Sequence, residues 1–310
     1  MKSHRLKEAV RAYVSYVKGR GLSESTVRAA SNLFGGVSPW TASKDVREIG
    51  ETDIRAFRKA LDAHIVRRSG KPMKRSSKFQ ILATLKTFFR FLEREGWILL
   101  SPMKGIKLKR IQSIPKALSA LKVEALITLQ SPQTPIGQRN RALFEVLYGT
   151  GLRLSECERL DLSDIDLRQG TILVRSGKGR KDRYVPVTGR ARDALQAYLM
   201  ESRPLFAERR DCGALFLATG GGRLGSQSIR IMVKRAGRSL GVRVSPHVLR
   251  HSFATHLLDG GASIAHVQKL LGHQSIGTTE IYTRVETGAL KRMVEKRHPR
   301  ERPRRRRRPA

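Results

Sequence analysis

Apolar side chains recur every three to four residues along most of this chain, and that period constrains the fold more than any other feature. Leu6, Val10, Tyr13, Val14 and Val17 share one face of a helix. Gly19 and Gly21 end that pattern, and Ser23 then stands where it can cap a second helix. Ile54, Phe57 and Leu61 repeat the spacing, as do Ile81, Leu85, Phe88, Phe89 and Leu92, so the first hundred residues are expected to be all-helical. The run KGIKLKRIQSIPKA over 104–117 is basic, lacks the helical period and contains Pro115. It reads as an interdomain linker. The expected division is therefore a helical domain over 1–105, a linker over 106–117, a second domain over 118–299 and a basic disordered tail over 300–310.

The second domain mixes two periods. Helices are expected from about Leu121 to Leu129 and from Arg139 to Tyr148, the latter stopped by Gly149 and Gly151. Ser155 and Glu158 have the spacing of a capping box. TILVR and RYVPV are short β-type runs joined by SGKGRKD, the pattern of a hairpin with a basic, glycine-bearing tip. LFLA from Leu215 is a third candidate strand, and everything after Ser226 returns to helical spacing. The fold class is mainly α, with a small antiparallel sheet at one edge of the second domain.

Composition bears on the partner. Lys and Arg number 62 against 26 Asp and Glu, a formal net charge of +36. The segment from Lys296 onward supplies only +8, leaving +28 on the body. Charge of this sign releases counterions from phosphate and gives salt-sensitive affinity for nucleic acid; ribosomal or membrane surfaces are the competing polyanions. Arg67, Arg68, Lys71, Lys74, Arg75 and Lys78 cluster around Gly70 and Pro72 with no acid among them, a phosphate-facing surface or a solvated loop. The opening MKSHRLKEAV has no apolar core, and no stretch approaches the roughly 18 apolar residues of a membrane span. The expectation is a cytoplasmic, nucleoid-associated protein with no membrane partner. Cys157 and Cys212 are the two cysteines, which excludes a disulfide framework and a cysteine-based zinc motif. Cys157, among helix-forming residues, reads as packing.

Breaking a DNA backbone without hydrolysis takes a nucleophile, cations on the scissile phosphate and a proton donor for the leaving oxygen. Metal-dependent enzymes use clustered carboxylates, and none lies beside the basic and histidine-rich segments. What remains is a metal-free, cofactor-free set of Arg, His, Lys and Tyr. In VSPHVLRHSFATHLLDGG, Ser245 and Pro246 occupy N-cap and first-turn positions, and Leu249, Phe253 and Leu257 form the inward stripe. His247 and Arg250 then share one face of the first turn, where free amides and the helix dipole favour an anion. His251 and His256 fall elsewhere and read as structural. His247, His251 and His273 could form a metal set, but a guanidinium as nearest neighbour argues against it. Ser263 starts a further helix with Ile264, Val267, Leu270 and Leu271 inward, Gly272 stops it, and His273 follows at once. Ser275 or Thr278 can cap the next helix, which carries Tyr282; alone, that tyrosine reads as core.

Taken together, GTGLRLSE with Arg153, SGKGRKDRYVPV with Lys178, PHVLRHSFATHLL with His247 and Arg250, LGHQS with His273 and TTEIYTRV with Tyr282 resemble the tyrosine recombinase (phage integrase) family in order and spacing. The match is closest to Xer-type bacterial site-specific recombinases. It extends to YVKGRGLSESTVRAASNLF and TLKTFFRFLEREGWILLSPMKGI, which look like the family's core-binding domain. The resemblance implies that Tyr282 attacks DNA to form a 3′-phosphotyrosine. Arg153, Arg250 and His273 hold the phosphate, a task suited to planar guanidinium groups, and His247 accepts the phenolic proton. Lys178 protonates the departing 5′-oxygen, with Lys181 as its rival in the same loop, and Glu156 supports the site. It also implies double-stranded DNA with two inverted half-sites, because the chain begins almost directly in the core-binding helices. Four protomers, identical or shared with a related recombinase, exchange strands through a Holliday junction. The C-terminal segment docks on a neighbour, and the biological outcome is dimer resolution or element integration.

The sequence departs from the family at Val248, where threonine is common, at Arg284, where histidine is common, and in the extension ERPRRRRRPA. That extension is expected to add nonspecific DNA affinity. The competing functions are a DNA- or junction-binding protein without chemistry and a topoisomerase-like relaxing enzyme.

Overall fold

The computed structural model describes residues 5–22, 24–34, 44–66, 69–108, 116–175, 182–208, 210–272 and 284–301, the side chains of 25 and 284–287 excepted. The chain divides into two compact units, Met1–Ser113 and Ile114–Ala310.

In the first unit, α1 (Leu6–Gly19), α2 (Glu24–Ser31), α3 (Glu51–Ala63) and α4 (Arg75–Arg94) follow the apolar period. Their inward stripes meet in a core containing Tyr13, Phe57, Leu61, Phe88, Phe89 and Leu92. Edge-on packing of Tyr13 on Phe88, with ring centres 5.5 Å apart, suits the aromatic quadrupole, and the Tyr13 hydroxyl is satisfied by Thr87 Oγ1 at 2.8 Å. The unit is not purely helical. A two-residue antiparallel ribbon, β1 (Ile65–Val66) and β2 (Lys71–Pro72), joins α3 to α4, and it turns through Gly70 at φ 60°, a backbone state that favours glycine. Of the basic cluster, Lys71, Lys74 and Arg75 are exposed, whereas Lys78 pairs with Asp62 at 2.8 Å. Arg67 and Arg68 lie outside the described residues.

The second unit is built on α6 (Pro135–Thr150), which follows α5 (Ala120–Thr128). Residues 142–150 of α6 are all buried, so this stretch of the helix is enclosed on every side, its one charge, Glu145, included. Against it pack α5, α7 (Leu154–Glu158), α8 (Gly189–Ala197), α9 (Arg203–Ala207) and α11 (Pro246–Asp259), while α10 (Ser226–Ser239) packs on α7, α12 (Ile264–Leu271) on α11, and α13 (Arg284–Arg297) on α11 and on the strand Arg183–Pro186. The sheet order is β3 (Ile165–Asp166), β4 (Thr171–Val174), β5 (Arg183–Pro186), antiparallel throughout. Pairing of Ile172 with Val185 and of Val174 with Arg183 puts all four on the inward face.

Three expectations change. LFLA is not a strand: Asp161 to Ala214 and Leu217 to Arg223 are isolated bridges, and Leu215, Phe216 and Leu217 are all buried, a continuous apolar run whose period cannot tell strand from core loop. The third strand is β3. Ile264, expected inward, is 64% exposed because it is the first residue of α12, ahead of the buried Val267, Leu270 and Leu271. Arg300 and Glu301, assigned by sequence to the tail, belong to the body. Arg300 is 5% exposed and pairs with Glu145 and Glu124, while Glu301 accepts the Gly189 amide at 2.7 Å.

Candidate active site

The first turn of α11 forms as its sequence requires. Ser245 Oγ accepts the Val248 amide at 3.3 Å, Pro246 is in the first turn, and Leu249, Phe253 and Leu257 are buried. That leaves His247 exposed at the helix start and carries Arg250 inward to 7% exposure. Arg250 Nη1 donates to the Gly151 carbonyl at 2.6 Å and Nη2 to the Leu271 carbonyl at 2.7 Å.

Gly151 ends α6 at φ 64°, a left-handed C-cap that reverses the chain and delivers Arg153 to the same place. Arg153, not Ser155, is the N-cap residue of α7. Its amide is held by Glu156 Oε2 at 2.7 Å, and its Nη1 donates to Glu156 Oε1 at 2.9 Å. The expected Ser155–Glu158 box does not form, because Glu158 instead accepts the Ser226 amide at 2.7 Å. Arg153 Nη2 reaches the Gly272 carbonyl at 3.0 Å, so Arg153 and Arg250 converge on the C-terminus of α12.

A third arginine completes the group. Arg183 Nη1 and Nη2 grip the two oxygens of Glu156, each at 3.0 Å, and Nε donates to the Leu270 carbonyl at 3.2 Å. The sequence reading passed over it, although RYVPV held the signal: alternation puts Arg183 on the inward face with Val185, and an inward arginine requires a buried acid. Burial would raise the Glu156 pKa, but the hydrogen bonds and charge of Arg183, followed by the hydrogen bonds of Arg153, lower it to about 2. Glu156 is therefore a carboxylate at any working pH. Burial, then the charge of Arg153, lowers the Arg250 pKa to about 10, which leaves it a cation at neutrality. Cys157 is fully buried with its thiol pKa raised, first by burial, in keeping with a packing role.

Arg153, His247 and Arg250 line one cleft of about 550 Å³. Arg230 and Lys234, one turn apart on α10, line it as well, and both are exposed; neither was singled out from the sequence, since RIMVKRAGR reads as an ordinary amphipathic helix. His256 is held by the Tyr148 hydroxyl at its Nδ1, 2.7 Å away, the structural role expected of it. Lys178, Lys181, His273 and Tyr282 lie outside the described residues. Among the described residues, three guanidinium groups surround one carboxylate, and the excess positive charge faces a cleft large enough for a phosphodiester.

The model of the phage integrase family matches residues 116–288. The tyrosine recombinase XerC of Oceanobacillus iheyensis is 46% identical over 235 residues, 74% of this chain and 76% of that protein. Among solved structures, a lambda integrase dimer bound to a COC′ core site superposes with a TM-score of 0.64 at 19% identity, covering 89% of this chain and 99% of that one. A lambda integrase tetramer bound to a Holliday junction gives 0.63 at 19% identity, covering 89% and 80%. With its arginine-centred cleft, its helical fold and these relatives, the chain belongs to the phage integrase family of tyrosine recombinases.

Proposed function

We propose that this protein is a site-specific recombinase that cleaves and rejoins double-stranded DNA through a 3′-phosphotyrosine at Tyr282. The observation that carries the reading is the convergence of Arg153 and Arg250 on one cleft with His247, around a carboxylate that leaves net positive charge. In this reading the two arginines, helped by His273, bind the nonbridging oxygens of the scissile phosphate and stabilise the extra negative charge of the transition state. The Tyr282 oxygen attacks phosphorus as His247 takes its proton, the bond from phosphorus to the 5′-oxygen breaks, and Lys178 protonates that oxygen. One phosphodiester is exchanged for another, so the reverse attack by a 5′-hydroxyl of a second duplex reseals the strand without ATP. The lambda integrase tetramer bound to a Holliday junction supports four protomers acting together, and in this reading they act on two duplexes with inverted half-sites. The partners are copies of this chain or a related recombinase, and DNA binding makes it nucleoid-associated. Dimer resolution and element integration are the two outcomes open to such an enzyme. The division into a core-binding domain over 1–105 and a catalytic domain over 118–299 belongs to the same reading.

Sheared, nicked genomic DNA of the source organism, incubated with purified protein and quenched in detergent, tests it. Wild type is expected to carry covalently bound DNA that Tyr282→Phe lacks, and sequencing the captured DNA identifies the site. An adduct that survives in the variant overturns the assignment of Tyr282, and none from wild type favours a DNA-binding role without chemistry.

A further inference from the structure

The C-terminus of α12 is capped in an unusual way. Its last carbonyls, those of Leu270, Leu271 and Gly272, accept hydrogen bonds from three different arginines, Arg183, Arg250 and Arg153 respectively. Two of these are the groups that a scissile phosphate claims. Each Nη atom of Arg250 donates to a carbonyl, and the Nη atoms of Arg153 donate to Glu156 and Gly272. Since each Nη carries a second N–H, a phosphate shares these guanidinium groups with α12 and Glu156, and its charge competes with the contacts that hold both arginines in place.

Arg183 is placed to remain. Its side chain is 5% exposed, against 34% for Arg153, and its guanidinium is committed on both edges, to a bidentate carboxylate and to a carbonyl. It is also the first residue of β5, so it lies five residues along the chain from Lys178. The Cβ of any larger residue at Gly272, where φ is 62°, would come within 3.0 Å of its guanidinium carbon, which shows how closely the α12 terminus is seated on it.

We propose that Arg183 is a positioning residue for strand cleavage: it neutralises Glu156 and anchors the end of α12, so that Arg153 and Arg250 stay aligned when the phosphate shares their donors. The proposal rests on Arg153 and Arg250 being the phosphate-binding pair. Among the described residues, the charged groups facing Glu156 are Arg153 at the start of α7, Arg183 from β5 and Arg250 from α11; α12 contributes carbonyls, and the adjoining Cys157 thiol is held neutral by burial. Without Arg183, the carboxylate leans on the two arginines the phosphate needs, and its pKa rises.

The test uses the full chain and the nicked duplex recovered by adduct capture. Arg183→Gln is expected to slow adduct formation at saturating DNA roughly 100-fold with DNA affinity unchanged, the scale of a misplaced catalytic group. Its rate should gain a titration on the acid side of neutrality that wild type lacks. That titration should vanish in the E156Q/R183Q double variant, and Arg183→Lys should recover part of the rate. A rate equal to wild type overturns the proposal, and so does a slow variant with the wild-type pH profile and no recovery by lysine, which marks a purely structural role. If wild type forms no adduct, it is the recombinase reading that fails. The proposal is then judged by carbon NMR of the Glu156 carboxyl, whose titration should move upward in Arg183→Gln; an unmoved titration overturns it.

Discussion

Gly151 shows how one residue holds both the backbone and the chemistry. It adopts φ 64°, and a Cβ there would lie 2.4 Å from the Phe253 ring, while its carbonyl accepts from Arg250. Gly151→Ala meets a left-handed backbone penalty and an overpacked core together, so thermal unfolding is expected to show a loss of about 2–5 kcal/mol. Arg300 is the second informative residue. Its guanidinium is buried against Glu145, which is 1% exposed. Arg300→Met leaves that carboxylate without its partner and should cost about 3–5 kcal/mol in chemical denaturation, whereas E145Q/R300M should recover much of the loss because no buried charge is then stranded.

At the scale of elements, the C-terminal segment is the informative part. In the single chain, α13 packs through Leu290 and Val294, and His298 beyond it is completely buried. The His298 ring lies 4.9 Å from Tyr148 and 5.4 Å from Phe253, centre to centre. Its Nδ1 accepts the Arg300 amide at 3.1 Å, but its Nε2 has no partner among the described residues. Burial, then the nearby His256, lowers its pKa to about 3. The unfolded chain takes up this proton below about pH 6.5, and the folded chain does not until about pH 3. Stability present at neutral pH is therefore lost as pH falls through that window, by up to about 1.4 kcal/mol per pH unit. Unfolding measured between pH 7.5 and 5.5 should show this slope in wild type and a shallower one in His298→Leu. His256, also depressed by burial, keeps the variant from becoming flat. An equal slope in both proteins would remove His298 from the account.

For the whole molecule, the partition of charge decides where binding and folding are separable. No described helix is long and apolar enough to cross a membrane. The excess of Lys and Arg is spread over both units rather than confined to the end of the chain. Because Arg300 and Glu301 are bound into the body, a truncation that asks about the basic tail should end after Glu301. Such a protein is expected to keep wild-type thermal stability and to show a shallower dependence of DNA affinity on salt, by roughly 0.9 in the log–log slope for each arginine that neutralises a phosphate. An unchanged slope would mean that the tail does not touch DNA.

The sequence by itself determined what local physics controls. Apolar period located α1, α3, α4, α6, α11 and α12, Ser245–Pro246 and Ser263 marked helix starts, Gly151 and Gly272 marked stops, and alternation drew β4 and β5. Order and spacing of motifs brought Arg153, His247 and Arg250 into one expected site. Tertiary structure alone decided which partners those side chains meet. Arg183 facing Glu156, three arginines capping successive carbonyls of α12, and Arg300 closing over Glu145 all join residues far apart in the chain. Helical and strand periods fix which face a side chain occupies, but the pairing of buried charges follows from how those faces pack, and no local pattern encodes it.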